Sequence, residues 1–301
     1  MANAREIQAR MNSIRDTMKI TNAMYLVSST KLRKARKSLQ DTEPYFTTLE
    51  DMIGRIVTHM PEIENRYFDD SSEWNQSEKR QAYIVITADK GLAGAYNHNV
   101  LKMAQQLLEN NKNWQLFVVG EVGRQYFTSR GIPIEENFLY TAQNPSLHRA
   151  RSITGVVMEK YMNHEVDEIY VIFTRMKNSL VAEACKARLL PLNKADYEGR
   201  GGTDGSEPVF HPSVEAALDN IVPDFVTGYV YGALVESFCS EQNARMMAMD
   251  SANENAKEMI HTLSTDYNRV RQGAITQEIT EVIGGAKALK KKKGSGKGGQ
   301  N

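Results

Sequence analysis

No proline interrupts the chain from Phe225 to Leu289, and within that stretch an apolar seam steps by four and three residues through Ala256, Ile260, Leu263, Tyr267, Val270 and Ala274. Two turns of α-helix take about seven residues, so this spacing marks a helix that meets another helix along one narrow edge. One residue further on the stripe continues as Ile275, Ile279, Val282, Ala286 and Leu289, the drift of a 3.6-residue helix against a seven-residue repeat. At about 1.5 Å per residue the helix is on the order of 100 Å long, and no compact domain needs that length. A matching seam opens the chain: Ile7, Met11, Ile14, Met18, Thr21, Tyr25, Ser28, Leu32, Ala35 and Leu39. Helix breakers are absent until Pro44, after which Tyr45, Leu49, Met52, Ile56 and Met60 resume a stripe that stops at Pro61. The first sixty residues therefore read as one long helix, with an interruption at Pro44 left open.

Between the two seams the pattern changes. Residues 69–81 (DDSSEWNQSEKRQ) are polar and aperiodic and read as a linker. Short β-branched runs follow at 82–87 (AYIVIT), 115–120 (QLFVVG), 168–175 (EIYVIFTR) and 186–192 (KARLLPL), separated by helical stretches around 97–110, 121–130 and 146–162. Strands alternating with helices predict a Rossmann-like α/β domain over 82–192, with a mostly parallel sheet covered by helices. A Gly-rich, turn-prone loop (193–212) closes it. Helix returns over 213–289, with Pro223 marking either a break or the first turn of a new segment. Residues 290–301 (KKKKGSGKGGQN) form a low-complexity basic tail that buries too little surface to order itself.

A heptad seam must be buried against another helix, and the second seam lies at the other end of the same chain. With the α/β domain at one end, both helices leave it in one direction and pair as an antiparallel coiled coil. Two features go beyond a spacer. Met18, Ile20, Ala23, Met24, Leu26 and Val27 occupy nearly every face of the first helix, and Met246, Met247, Ala248 and Met249 do likewise on the second. A helix that is apolar all round is enclosed by something, here either an external collar or a local bundle with the α/β domain, and methionine adapts to changing packings. Lys31–Lys37 (KLRKARK) places five cations in seven residues, which reads as a solvated face or as one turned to an acidic partner or a phosphate backbone.

Four segments carry a resemblance. They are Met18-Lys-Ile-Thr-Asn-Ala-Met24 with Lys31-Leu-Arg-Lys34; Asp89-Lys-Gly-Leu-Ala-Gly-Ala-Tyr-Asn97 after a strand; Glu241-Gln-Asn-Ala-Arg-Met-Met-Ala-Met249; and Tyr267-Asn-Arg-Val-Arg-Gln-Gly-Ala-Ile-Thr-Gln-Glu-Ile-Thr-Glu-Val-Ile-Gly-Gly285. In this order and around an α/β domain, they are similar to the gamma subunits of bacterial F-type ATP synthases over essentially the whole chain. The resemblance implies a coiled coil inside a ring of three alpha and three beta subunits. It also implies a globular foot that binds the epsilon subunit and rests on the membrane ring of c subunits. In such a proton-translocating ATP synthase, rotation of the shaft drives each beta site through binding, synthesis and release. The subunit itself is non-catalytic, carries no cofactor or metal, and lies peripherally on the cytoplasmic face of the cell membrane. Carried over by position, Met24 lies where the shaft passes the collar, and Arg245, Gln272, Thr276 and Glu278 match polar positions that touch beta. Gly273 interrupts the helical signature at a cost of ~1 kcal/mol against alanine, and the lysine tail runs past the usual family end.

The competing readings lack support in the residues. Asp89-Lys-Gly-Leu-Ala-Gly94 follows a strand and opens a helix, but it matches neither phosphate-binding glycine motif, and a tight turn explains its glycines. The histidines are scattered without i, i+4 spacing, and Cys185 and Cys239 match neither a metal motif nor a disulfide framework. Lys plus Arg and Asp plus Glu both number 37, and no aromatic residues interleave the lysine runs, so a nucleic-acid role is not expected. No apolar run reaches the roughly 18 residues that span a bilayer, so membrane association must come through a partner.

Overall fold

The structure, a computed structural model, describes residues 4–68, 79–178, 181–200 and 210–295. Most of the expected linker, much of the Gly-rich loop and the tail from 296 lie outside the described residues. The chain divides into two units: Met1–Tyr25 with Met249–Asn301, and Leu26–Ala248. Two helices, α1 (Ala4–His59) and α5 (Val214–Ser295), contribute residues to both.

In the larger unit the sheet comprises β1 (Gln81–Ile86), β2 (Trp114–Val119), β3 (Glu168–Met176) and β4 (Ala182–Leu190) in the order β2-β1-β3-β4. β1 runs parallel to both β2 and β3, and β4 returns antiparallel to β3. The β3–β4 connection is too short for a crossover, so the last strand must form a hairpin. Helices α2 (Tyr96–Asn110) and α3 (Glu121–Ser129) cover one face, where Val100, Leu101, Ala104 and Phe127 pack on Tyr83, Val85, Leu116 and Val118. Helix α4 (Leu147–Met162) covers the other, with Ala150, Ile153 and Val157 on Ile84, Ile86, Phe117 and Val171. That second face also takes α1 and α5: Leu49, Ile53, Ile56 and Val57 of α1 and Leu218, Val222, Val226 and Leu234 of α5 belong to the same core.

Three expectations change. The stripe after Pro44 is not Tyr45, Leu49, Met52, Ile56 and Met60: Tyr45, Met52 and Met60 are exposed, and Ile53 and Val57 take their places. Packing on a sheet widens a heptad seam to the i, i+4, i+7, i+8 stripe of a globular helix. Neither proline breaks its helix, since both Pro44 and Pro223 lie inside. Pro44 is exposed, so its displaced carbonyl partner meets water. Around Pro223, no residue from Ile221 to Gln242 is exposed, and tertiary burial outweighs the lost backbone bond. Finally, α5 continues through the lysine run to Ser295, since lysine is a good helix former and no glycine intervenes before Gly294.

The β1–α2 loop is held from both sides. Its Asp89 carboxylate accepts from the N–H groups of Glu121, Ala142 and Gln143, each at 3.1 Å, and from the Thr141 hydroxyl. Gly120, which opens α3, has φ of 97°, and a Cβ there would lie 2.3 Å from the Thr87 carbonyl oxygen, so only glycine fits.

Candidate functional site

In the smaller unit α1 and α5 pair along the predicted seam. Ile7, Met11 and Ala256 are buried, and Ile14, Met18, Thr21, Tyr25, Ile260, Leu263, Tyr267 and Val270 are at least partly so. The hydroxyl of Thr21 meets the side-chain amide of Asn253 across the pair, and Arg15, Met18 and Asn22 share a groove with Asp250, Asn253 and Lys257. The pairing is antiparallel, so each step toward the N-terminus of α1 is matched by one toward the C-terminus of α5. Counting from Thr21 opposite Asn253 places Ala4 opposite Val270. Burial stops at that point: every residue whose side chain is described from Arg271 to Lys287 is exposed.

Beyond the pair α5 still carries a stripe fit for burial. Ile275, Ile279, Val282 and Ile283 are 44, 54, 71 and 51% exposed, a row of aliphatic side chains left in water at one flank of the helix. The apolar belt inferred from the sequence is likewise open. Ile20 in the smaller unit and Leu26, Val27 and Met247 in the larger one are exposed, whereas Met18, Met24 and Met246 are half-buried and Met249 turns inward.

The five residues expected to touch a partner fall into separate groups. Met24 is half-buried on α1. Gln272 and Thr276 are exposed and share a face, the Thr276 hydroxyl donating to the Gln272 carbonyl at 2.9 Å. Glu278, also exposed, projects from a different side, because two residues on from Thr276 is about 200° round the helix. Arg245 stands apart. Its side chain is 10% exposed, its Nη2 lies 2.6 Å from Glu241 Oε1, and it donates to the carbonyls of Gly91 and Lys90 at 3.0 and 3.4 Å. Burial pushes the Glu241 carboxyl above its ordinary range, with Arg245 acting against that shift. Periodicity could not reveal this engagement, since it depends on which loop approaches α5.

The basic run of α1 divides too. Arg33, Lys34 and Lys37 are exposed, Lys31 is half-buried near Glu241, and Arg36 donates to the Met176 sulfur at 3.5 Å. No cluster of potential metal ligands occurs among the described residues, and no helix among them is long and apolar enough to cross a membrane. At the glycine-bearing β1–α2 loop, the anion set against nearby N–H groups is the chain's own Asp89.

A family model described as ATP synthase matches residues 3–289. Among curated proteins, the ATP synthase gamma chain of Ruminiclostridium cellulolyticum is 42% identical over 292 residues, covering 95% of this chain and 99% of that one. The ATP synthase gamma chain of Acetivibrio thermocellus is 42% identical over 297 residues, covering 96% and 100%. Among solved structures, the central stalk and c-ring of the Tetrahymena thermophila mitochondrial ATP synthase contains a chain with a TM-score of 0.56 and 25% identity, covering 77% of this chain and 99% of that one.

Proposed function

This chain belongs to the ATP synthase gamma-chain family, and we propose that it works as the rotating central shaft of the F1 part, coupling ion-driven rotation of the c-ring to ATP synthesis or hydrolysis at the beta subunits. The observation that carries this reading is the length of α5 beyond Val270, where no helix among the described residues covers an aliphatic stripe. A ring of alpha and beta subunits supplies that cover, and the exposed belt at Ile20, Leu26, Val27 and Met247 lies against it as well. Gln272, Thr276 and Glu278 spread polar donors and acceptors over more than one side of the helix, so successive beta subunits meet them in turn as the shaft rotates. Met24 adds an adaptable apolar contact. Arg245 leaves this set, because its guanidinium is engaged within the chain.

The chain is non-catalytic, and its partners are the alpha and beta subunits, the epsilon subunit and the c-ring. It is held peripherally at the cytoplasmic face of the membrane through them. The purified chain alone is expected to hydrolyse no ATP, and to raise or couple hydrolysis when mixed with an alpha–beta hexamer. Turnover by the isolated chain that survives removal of contaminants would refute the shaft reading.

A further inference from the structure

In Rossmann-like sheets a ligand enters where the strand order reverses, in the crevice outside the carboxyl ends of the strands. The order β2-β1-β3-β4 puts that reversal between β1 and β3, and the element that reaches it is α5. Near the end of β3, the Thr174 N–H donates to Ser237 Oγ at 3.2 Å and Ser240 Oγ donates to the Thr174 carbonyl at 3.3 Å. Beyond β1, Tyr96 lies close to Ser237 and Glu241, and Arg245 grips the Gly91 and Lys90 carbonyls while paired with Glu241. Ser237, Ser240, Glu241, Gln242 and Arg245 are 1, 0, 3, 3 and 9% exposed, so this stretch of helix docks through buried polar groups. Apolar contact accompanies it: Phe238 and Cys239 of the same stretch belong to the main core, and Ala244 packs against Ala88, Ala93 and Tyr96.

Apolar packing is non-directional and resists separation better than sliding, whereas directional contacts from one buried cationic group, here Arg245 Nη2 to the Gly91 and Lys90 carbonyls and to Glu241, fix an angle. We infer that α5 is keyed to the α/β domain by this polar joint, with Arg245 and Glu241 as positioning residues that set the helix's rotational angle and let torque pass between helix and sheet. The gripped loop is itself anchored, since Asp89 ties it to the start of α3 and to the 142–143 segment. Torque taken up at Arg245 therefore reaches the sheet through hydrogen bonds at each step.

The inference rests on the shaft reading, and two measurements separate them. In the complex with the alpha–beta hexamer, Arg245→Ala is expected to speed hydrogen exchange at amides 89–96 by about tenfold or more while those of α4 stay unchanged. In the membrane-reconstituted enzyme it is expected to lower ion pumping per ATP several-fold, with hydrolysis kept within about twofold of wild type. Glu241→Gln is expected to act in the same direction, and Arg245→Lys, which keeps the charge but not the position of Nη2, to fall between. Should Arg245→Ala fail to fold, the lysine variant carries the test. Unchanged exchange overturns the joint whatever the protein does. Faster exchange with unchanged pumping per ATP overturns its role in torque and leaves the shaft reading standing. Hydrolysis that falls as far as pumping overturns the inference in favour of a direct contact with beta. A wild-type enzyme without coupled pumping defeats the shaft reading itself.

Discussion

Replacing Gly228 with alanine is expected to destabilise the larger unit, although the same change one turn later at Gly232 is expected to stabilise it. Both glycines lie inside α5, where alanine is favoured over glycine by ~0.8–1.0 kcal/mol of helix propensity. Space decides the sign. A Cβ at Gly228 would stand 2.0 Å from Cδ1 of Phe46 on α1 and 2.4 Å from Cε1, whereas at Gly232 nothing lies within 4 Å. The Phe46 ring must therefore retreat by more than an ångström. It is half-buried, with Tyr45 at 5.2 Å and Tyr231 at 6.4 Å between ring centroids, so it can swing outward, but only by giving up those contacts. Overpacking of this kind costs ~1–3 kcal/mol. Set against the propensity gain, Gly228→Ala loses ~1 kcal/mol net while Gly232→Ala gains ~0.5–1 kcal/mol. Urea denaturation of the full chain, followed by near-ultraviolet circular dichroism, separates variants that far apart, and melting temperatures move by ~2–4 °C per kcal/mol. In a Phe46→Ala background the clash is gone, and Gly228→Ala should become stabilising, a coupling of ~2 kcal/mol. If Gly228→Ala stabilises the wild-type chain as much as Gly232→Ala does, the α1–α5 crossing is not closed by that ring and the reasoning fails.

Ile279→Asp is expected to leave the stability of the isolated chain within ~0.5 kcal/mol, because the side chain is exposed there, yet to weaken binding to the alpha–beta hexamer in a pull-down titration; equal binding would remove the stripe from the interface. Burial pushes the Cys239 thiol up to about 11 and raises that of half-buried Cys185 as well, so a thiol reagent at pH 8 should find Cys239 about a hundredfold poorer in thiolate than in urea, and rapid labelling of the native chain would contradict that burial. Arg80 holds the Asp167 carboxyl below its ordinary range, through hydrogen bonds from Nε at 3.1 Å and Nη2 at 2.8 Å. A depressed carboxyl stabilises above its unfolded value and loses that contribution as pH falls through its folded one. Arg80→Ala should therefore cost ~0.5–1 kcal/mol at pH 7, a loss that shrinks as pH falls through the depressed carboxyl of the folded chain, as read by denaturation at several pH values.

The seams were legible because a heptad pattern states a geometric requirement that holds wherever the partner comes from. Each position from Ile7 to Leu39 in the first seam is at least partly buried. What periodicity does not carry is the identity of the covering surface. Leu49 and Ile56 fit a continued coil and are buried, but the sheet draws in Ile53 and Val57 beside them and leaves Tyr45, Met52 and Met60 exposed. β4 begins at Ala182, ahead of the expected Lys186, on Ala-Glu-Ala-Cys, which lacks β-branched residues; its pairing with β3 creates the strand where local preference does not. Arg245 was legible as a polar residue in a helical motif, but its burial depends on a loop more than 150 residues away, which no local pattern records.

The two stripes on the C-terminal helix invite one explanation from the sequence and receive another from the structure. Ala274 and Ile275 mark the switch from the first stripe to the second, and helical drift alone accounts for a shift of one residue. Drift, however, predicts a seam that rotates smoothly while staying covered by the same partner. Instead, burial on α5 ends at Val270, opposite the first described residue of α1, and Ala274, the last member of the first stripe, is already exposed. The change of register thus coincides with a change of partner. Residues up to Val270 are spaced for a helix of the same chain, and those from Ile275 onward form a stripe that no element among the described residues covers.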